Sequence, residues 1–365
     1  MPAASWVLVD SRSGDVLAGE NPKTAFPLAS ATKLMTYYVA AGRLRPAREI
    51  AVAPYDPVPG ESLAGFEPGD SITARDAFYG LMVPSGNDAA HTLALAASGS
   101  ESDFVARMNG AADELGLEET SYADPIGLAA GNVSSARDLI DLATELQEQA
   151  LFRRIVDTES ATLRSGSDPL RIETRNALLS ERPFVDGIKT GTTLEAGYVL
   201  VGSGTRKGVG LTSVVLGSPD EAARDAATLE LLDYGFSLYE KRRLVAPGER
   251  VGSVPLVEGG RLPLVAAKEV EAVARADQEV RVRVKPLEPV DAPIARGDPV
   301  GTASVRLDGR RVGTVRALAS RSVAGLPEGR EDTAGAPRWV WISLGAAVLV
   351  SALLGALAVA SHRRE

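Results

Sequence analysis

The sequence predicts an α/β (α+β) chain made of two folded parts and a membrane segment. Three observations carry this. Strand-like runs occur at both ends of residues 1–245, with helical periodicity between them. From Ala246 the pattern changes to short alternating runs separated by Gly or Pro. Trp339 to Ser361 then holds no charged residue. Strands, helices, strands and a final helix, in that order, fit one sheet that uses both ends of the domain and carries a helical insertion. A chain of 365 residues, 45% hydrophobic and 24% charged, has the size and composition for two soluble domains plus an appendage.

The elements follow in order. Trp6–Val9 reads as a strand and Val16-Leu17 as the start of its partner, joined by the turn Ser11-Arg12-Ser13-Gly14-Asp15. Ser30 opens a helix to about Leu44, because Leu34, Met35, Tyr38 and Val39 share one face. Residues 51–73 are rich in Pro and Gly and read as loop with short strands. Helices are expected over Asp76–Val83, Asp88–Ala97, Phe104–Leu115 and 137–149, the last capped by Ser135-Ala136-Arg137-Asp138, with Asp124–Leu128 as a turn. Tyr198–Val201 and Gly210–Leu216 are buried strands, and Asp220–Tyr239 is a long closing helix. Beyond Ala246, the runs Val251–Val257, Leu262–Ala266, Val280–Val284, Val300–Leu307 and Arg311–Ala317 predict a small all-β sandwich. The expected boundaries are 1–245, 246–322, a polar linker 323–338, a membrane helix 339–361 and a basic tail 362–365.

The segment 339–361 would span roughly 34 Å as a helix, enough to cross a bilayer. Trp339 and Trp341 flank one end and Arg363-Arg364 the other, as interfacial anchors do. Arg330 and Arg338 precede the span, so the positive-inside count is near a tie. Met1-Pro2-Ala3-Ala4-Ser5 leads straight into a strand, without a charged or apolar leader. An exported enzyme needs a signal, so the true start is expected upstream. Otherwise the single span would make a tail-anchored protein with its folded parts inside the cell.

Composition narrows the chemistry. The chain has no Cys, which excludes a thiol nucleophile, a thiolate metal site and a disulfide framework. Its formal charge of −9 argues against a general nucleic-acid role. The two His are His91, inside a helical pattern, and His362, beyond the apolar segment. Neither suits a Ser-His-Asp triad, and His91 reads as structural. Asp10, Asp56 and Asp88 lack metal-ligand spacing, so no metal and no cofactor is expected. A hydrolase built from this chain needs another base.

Lysine is the candidate. Of 39 basic residues only seven are Lys, and two of them, Lys33 and Lys189, fall in short motifs. A desolvated Lys can be neutral near pH 7, whereas Arg stays charged. Ser30-Ala31-Thr32-Lys33 places an amine one turn beyond a hydroxyl at a helix start, where it can accept the hydroxyl proton. Taken alone, Ser30 reads as an N-cap and Lys33 as a solvated surface residue. Ser85-Gly86-Asn87 lies between two helices and alone would be a connecting loop. Lys189-Thr190-Gly191 stands at the front of an apolar strand and alone would be an edge-strand charge. All three motifs in the order S-x-x-K, S-x-N, K-T-G form the signature of serine enzymes that acylate on penicillin or D-Ala-D-Ala peptides.

The chain resembles the low-molecular-mass penicillin-binding proteins, the serine D-alanyl-D-alanine carboxypeptidases. The resemblance extends over Ser85–Ala90, Met108-Asn109, Leu115–Leu117, Thr120, Pro125–Leu128, Ser134–Leu139, Asn176–Leu179 and Asp186–Gly191. The segment 246–322, with Ala292-Pro293-Ile294 and Gly297–Gly301, is similar to the family's C-terminal β domain. Coverage is roughly residues 5–322. The resemblance implies a penicillin-binding-protein/β-lactamase-like domain with a central antiparallel sheet. It implies that Ser30 attacks the penultimate D-Ala carbonyl of a peptidoglycan stem peptide while Lys33 takes its proton. Backbone N–H groups of Ser30 and Thr192 would hold the oxyanion. Ser85 would return the proton to the departing D-Ala, Asn87 would fix the peptide, and Lys189 and Thr190 would bind the terminal carboxylate, with Gly191 allowing close approach. Water would then hydrolyse the acyl-enzyme, which limits cell-wall cross-linking. β-Lactams would acylate Ser30 as inhibitors, and the enzyme would sit at the cell membrane, single-pass, facing the extracytoplasmic side. The family often has His or an aromatic where this chain has Thr192, and many members anchor by an amphipathic helix rather than a charge-free span.

Other activities remain open at this level. D,D-endopeptidase and transpeptidase use the same motifs. A class A-like β-lactamase would need E-x-x-L-N between Asn87 and Lys189, and Glu173-Thr174-Arg175-Asn176 does not fit; the second motif is also S-G-N rather than S-D-N. A non-catalytic membrane-anchored binder would not need Ser30, Lys33 and Lys189 together.

Overall fold

A computed structural model of the protein describes residues 1–287 and 290–325. They fall into two compact units. The first comprises Met1–Arg242 with Val273–Asp277, and the second Arg243–Ala272 with the described residues from Gln278 onward.

The first unit is built on a five-stranded antiparallel sheet in the order Val16–Glu20, Ser5–Asp10, Val209–Ser218, Gly197–Arg206, Val185–Thr193. Both chain ends of the unit therefore meet in one sheet, as the strand pattern requires. Alternation along the strands sends side chains to two cores. Val7, Val9, Val199, Val201, Val214 and Leu216 face the helical insertion. Leu8, Leu200, Leu211 and Val215 face Leu231, Leu232 and Phe236 of the closing helix Glu221–Ser237. Burial on both faces explains why these strands read as continuous apolar runs.

The insertion carries helices Lys33–Arg43, Ala74–Met82, Asn87–Ser98, Glu101–Leu115, Ala136–Gln147 and Ala150–Val156. Side-chain caps mark where several helices of the unit start. Thr73, Ser100, Ser135 and Asp220 each accept a backbone N–H three residues on, at 3.2, 3.1, 3.0 and 2.7 Å. Tyr37 of the first helix is fully buried between Phe78 and Phe152, with ring centroids 5.0 Å from each. These aromatic contacts join three helices behind the site.

Two expectations change. The predicted helix opening at Ser30 begins instead as a 3-10 turn, Ala29–Thr32, and becomes α-helical at Lys33. Ala29 adopts a positive φ of 47°, which keeps the regular helix from starting earlier. Lys189-Thr190-Gly191 is not at the front of its strand. It lies inside its own nine-residue strand, Val185–Thr193, where Lys189 stands opposite Val201 and Gly191 opposite Val199. Its Gly and polar residues hide the period-two pattern that identifies strands.

The excursion Val273–Asp277 belongs to the first unit although its sequence neighbours do not. Arg275, 7% exposed, explains it: its guanidinium pairs with Asp15 at 2.6 Å and Asp277 at 3.1 Å and donates to the Tyr239 hydroxyl at 3.0 Å. Asp10 accepts from the Arg12 and Ser13 backbone N–H groups at 2.8 and 3.0 Å and from the Tyr239 hydroxyl. Asp10 is thus a turn and anchoring residue.

The second unit is all-β. Its five-stranded antiparallel sheet runs Arg250–Pro255, Arg261–Ala266, Arg310–Ala319, Pro299–Leu307, Val280–Pro286. The two edge strands return into contact, so one curled sheet encloses Leu262, Leu264, Ala303, Val305, Val315 and Ala317. A Cβ on Gly252 would stand 3.0 Å from the Val284 side chain, which marks how closely the edges meet. The expected sandwich core is thus supplied by a single sheet. No helix among the described residues is long and apolar enough to cross a membrane. The expected membrane helix 339–361 and tail 362–365 lie outside those residues.

The aromatic contacts behind the site give the first prediction. Phe152→Ala removes a ring that is fully buried against Tyr37. Urea unfolding followed by circular dichroism should show a loss of about 3–5 kcal/mol; a loss under about 1 kcal/mol would show that the helices do not depend on this contact.

Candidate active site

The site forms where the 3-10 turn of Ser30, the start of helix Asn87–Ser98, the turn Asp124–Leu128 and the strand Val185–Thr193 converge. Lys33 lies at its centre with no exposed surface. Its Nζ meets Asn87 Oδ1 at 2.7 Å, the Ile126 carbonyl oxygen at 2.9 Å and Ser30 Oγ at 3.0 Å. Burial pushes the Lys33 pKa down to about 7, against the pull of Asp124, Glu61 and Asp88, which favour the charged form. A neutral amine has two N–H bonds and one lone pair. The two oxygens that can only accept, on Asn87 and Ile126, take the N–H bonds. The lone pair is then left for the Ser30 hydroxyl.

Each partner is held from behind. Asp124 accepts backbone N–H groups of Ile126, Gly127, Leu128 and Ala129, which fixes the turn that offers the Ile126 carbonyl. Gly127, at φ 100°, lets this turn touch the Ser30 segment; a Cβ there would fall 1.9 Å from the Ala29 carbonyl oxygen. Asp88 accepts from the backbone N–H groups of Ala64, Gly65 and Phe66 at 2.7, 2.8 and 3.1 Å and so ties the loop 61–66 to the start of the Asn87 helix. Asp88, like Asp10, has a backbone-organising role here.

Asn87, 3% exposed, links this loop to Lys33. Its backbone N–H donates to the Ser62 carbonyl at 2.8 Å and its Nδ2 to Glu61 Oε2 at 2.9 Å. One Nδ2 proton and one Oδ1 lone pair remain for a substrate amide. Ser85 is 4% exposed, sits at φ 62°, and its Oγ has no hydrogen-bond partner among the described residues. A buried hydroxyl without a partner, two residues from Asn87, is available to a reacting group. Gly86 between them has no room for a side chain, since a Cβ would stand 2.7 Å from both Ala64 N and the Gly80 carbonyl oxygen. That packing accounts for Gly in the middle of the second motif.

The strand Val185–Thr193 brings the third motif against the first. A Cβ on Gly191 would lie 2.9 Å from Ser30 N and 3.1 Å from the Leu28 carbonyl oxygen, so glycine sets the separation between the strand and the Ser30 turn. Lys189, 1% exposed, donates to the Thr190 carbonyl at 2.8 Å, and no carboxylate pairs with it among the described residues. Burial holds its pKa well below the lysine range, and the charges of Lys33, Arg175 and Arg224 add to that. An incoming carboxylate would supply the missing countercharge. Thr190 is buried and Thr192 exposed on the same strand.

The structure thus joins Ser30, Lys33, Asn87, Lys189, Thr190 and Gly191, with Ser85 beside Asn87 and Thr192 at the strand's outer end. His91 faces away from the chemistry: its Nδ1 lies 2.7 Å from Glu101 Oε1 and its ring 5.6 Å from that of Tyr55. Sequence reasoning missed Glu61 and the Ile126 carbonyl, which contact Asn87 and Lys33. A backbone carbonyl has no residue-type signal, and Glu61 lies in a Pro- and Gly-rich stretch with no periodicity.

A serine hydroxyl against a buried lysine amine, with an amide and a second buried lysine nearby, defines a serine–lysine acyl-transfer enzyme. The chain belongs to the D-alanyl-D-alanine carboxypeptidase family, whose profile matches residues 1–220. Residues 239–324 match the penicillin-binding protein 5 C-terminal domain. It is 31% identical over 319 residues to the D-alanyl-D-alanine carboxypeptidase DacF of Bacillus subtilis, covering 84% of this chain and 82% of the relative. It is 33% identical to DacA of Escherichia coli K12, covering 85% and 81%. Among solved structures, penicillin binding protein 5 of Haemophilus influenzae superposes with a TM-score of 0.62 at 27% identity, covering 89% of this chain and 98% of the other. The Streptomyces K15 DD-transpeptidase superposes with a TM-score of 0.62 at 30% identity, covering 65% and 98%.

This geometry makes three predictions. The rate at which benzylpenicillin acylates the enzyme should rise as pH increases through about 7, because Lys33 must lose its proton before it can take that of Ser30. Lys33→Ala should lower this rate by about 10²–10⁴-fold, read by intact mass against time; a variant that acylates at the normal rate would defeat Lys33 as base. Gly191→Ala should push the Ser30 turn from its strand and slow acylation about 10²-fold, whereas an unchanged rate would show that the contact is not needed.

Proposed function

We propose that this chain removes the terminal D-alanine from peptidoglycan stem peptides through an acyl-enzyme on Ser30. The observation that supports it most is the buried Lys33 amine, with two acceptors for its N–H bonds and Ser30 Oγ at 3.0 Å. Ser30 Oγ attacks the penultimate D-Ala carbonyl as its proton passes to Lys33 Nζ. The developing oxyanion is taken up by the backbone N–H groups of Ser30 and Thr192, which lie on the two segments that meet at Gly191. The peptide C–N bond then breaks, and the proton reaches the leaving amine through Ser85, whose hydroxyl is otherwise unpartnered among the described residues. Asn87 holds the substrate amide with its remaining donor and acceptor. Lys189, with Thr190, receives the terminal carboxylate and regains its charge there. Water attacks the acyl-enzyme and releases the shortened peptide.

β-Lactams enter the same site as mimics of D-Ala-D-Ala and leave a stable ester on Ser30. A membrane position rests on the charge-free segment 339–361, and the division at 245/246 on the change of pattern there. We place the catalytic part on the extracytoplasmic side, where the stem peptide is. Transpeptidase and endopeptidase activity use the same acyl-enzyme and differ in which amine leaves or arrives.

The test is intact mass after adding benzylpenicillin to the full chain, followed by assay of D-alanine release from a D-Ala-D-Ala peptide. A persistent one-to-one adduct on Ser30 together with D-alanine release is expected. Rapid loss of the adduct with consumption of penicillin would identify a lactamase, and no adduct on folded protein would leave a binding role.

A further inference from the structure

We infer that Glu61 is a positioning residue that fixes the orientation of the Asn87 side-chain amide and so keeps the Lys33 lone pair directed at Ser30. This rests on the acyl-enzyme reading above. Glu61 lies outside all three motifs, in the loop that Asp88 ties down through Ala64, Gly65 and Phe66. Its carboxylate accepts from Asn87 Nδ2 at 2.9 Å, from the Val58 backbone N–H at 3.2 Å and from the Tyr55 hydroxyl. The Ser62 carbonyl accepts from Asn87 N, so the same loop grips Asn87 by backbone as well.

The logic is one of donors and acceptors. An amide side chain has a donating end and an accepting end, and rotation by half a turn exchanges them. A neutral Lys33 could meet either end, because its amine can donate or accept. An ionised carboxylate can only accept, so Glu61 makes the choice. With Nδ2 on Glu61, Oδ1 must face Lys33 and take one of its N–H bonds. In the opposite orientation the Asn87 NH2 would donate to the Lys33 lone pair, which would then be lost to Ser30. Burial would by itself raise the Glu61 pKa, but the hydrogen bonds from Asn87, Tyr55 and Val58 and the charge of Lys33 outweigh it and keep the carboxyl ionised.

Glu61 also acts on Lys33 by charge. The groups facing Lys33 are Asp124 on its turn, Asp88 on the Asn87 helix, Glu61 on the loop and Lys189 on the strand. The three carboxylates favour the protonated amine. Removing the Glu61 charge therefore lowers the Lys33 pKa and moves the acid limb of the acylation profile to lower pH. Removing the amide lock lowers the plateau. A merely structural residue would not move the limb.

The experiment compares full-length wild type with Glu61→Gln, measuring the limiting acylation rate and apparent affinity for benzylpenicillin from pH 5 to pH 10. The substituted amide keeps the shape of Glu61 but can present either an oxygen or an NH2 to Asn87. The expected result is a plateau lower by about two- to tenfold and an acid limb at lower pH. A limb that stays in place, an unchanged plateau, or a loss confined to affinity overturns the inference. Tyr55→Phe is the second variant, because it loosens Glu61 and keeps its charge. It should lower the plateau less and leave the limb unmoved; a full wild-type plateau would count against the lock even if Glu61→Gln failed to fold. Wild type that takes no adduct on Ser30 defeats the acyl-enzyme reading itself, whereas an acylating wild type matched by both variants defeats only the role of Glu61.

Discussion

The site depends on one buried amine. Lys33 has no contact with solvent, and three oxygens from three different segments surround its nitrogen. Displacing its pKa to about 7 amounts to roughly 5 kcal/mol in favour of the neutral form relative to water. That preference comes from the helices packed around it, since Leu34, Met35 and Tyr37 beside Lys33 are buried in the same core. The hydrophobic core and the protonation of the amine are therefore not separable: the core removes water from the amine, and dryness favours its neutral form. Asp124, Glu61 and Asp88 work the other way and stop the displacement near neutrality.

Those carboxylates also organise backbone. Asp124 gathers four N–H groups of one turn, and Asp88 gathers three of one loop. A carboxylate that accepts several backbone bonds is held in place by them. The turn then delivers a carbonyl to Lys33 and the loop delivers Glu61 to Asn87. The side chains that moderate the Lys33 amine also build the scaffold around it.

Much of this was legible in the sequence. The three motifs named Ser30, Lys33, Asn87 and Lys189 because their chemistry depends on side chains at fixed spacing, and the structure brings them together. The terminal strands and the helical insertion were legible from periodicity, because burial on two faces gives continuous apolar strands. The strand Val185–Thr193 was not, since Asp186, Gly187, Lys189, Thr190 and Gly191 interrupt its alternation and the Gly residues serve contacts instead. Glu61 and the Ile126 carbonyl were hidden for a different reason. Their roles depend on how two loops fold back, and loop contacts leave no period. The placement of Val273–Asp277 in the first unit depends on the ion pair of Arg275 with Asp15, across 260 residues of sequence.

Three glycines show why the motifs have the spelling they do. Gly86, Gly127 and Gly191 each stand where a Cβ would collide with backbone of another segment: Ala64 N and the Gly80 carbonyl, the Ala29 carbonyl, and Ser30 N. Only Gly127 of the three has a positive φ, so close approach rather than turn geometry is what Gly86 and Gly191 provide. The loop, the turn and the strand can thus close on Ser30 and Lys33 until backbone meets backbone. Side chains at these positions would hold the segments apart and admit water to the amine. The spacing between the catalytic groups is set by the absence of atoms as much as by the residues that carry the chemistry, and that is why the second and third motifs need a glycine beside a functional side chain.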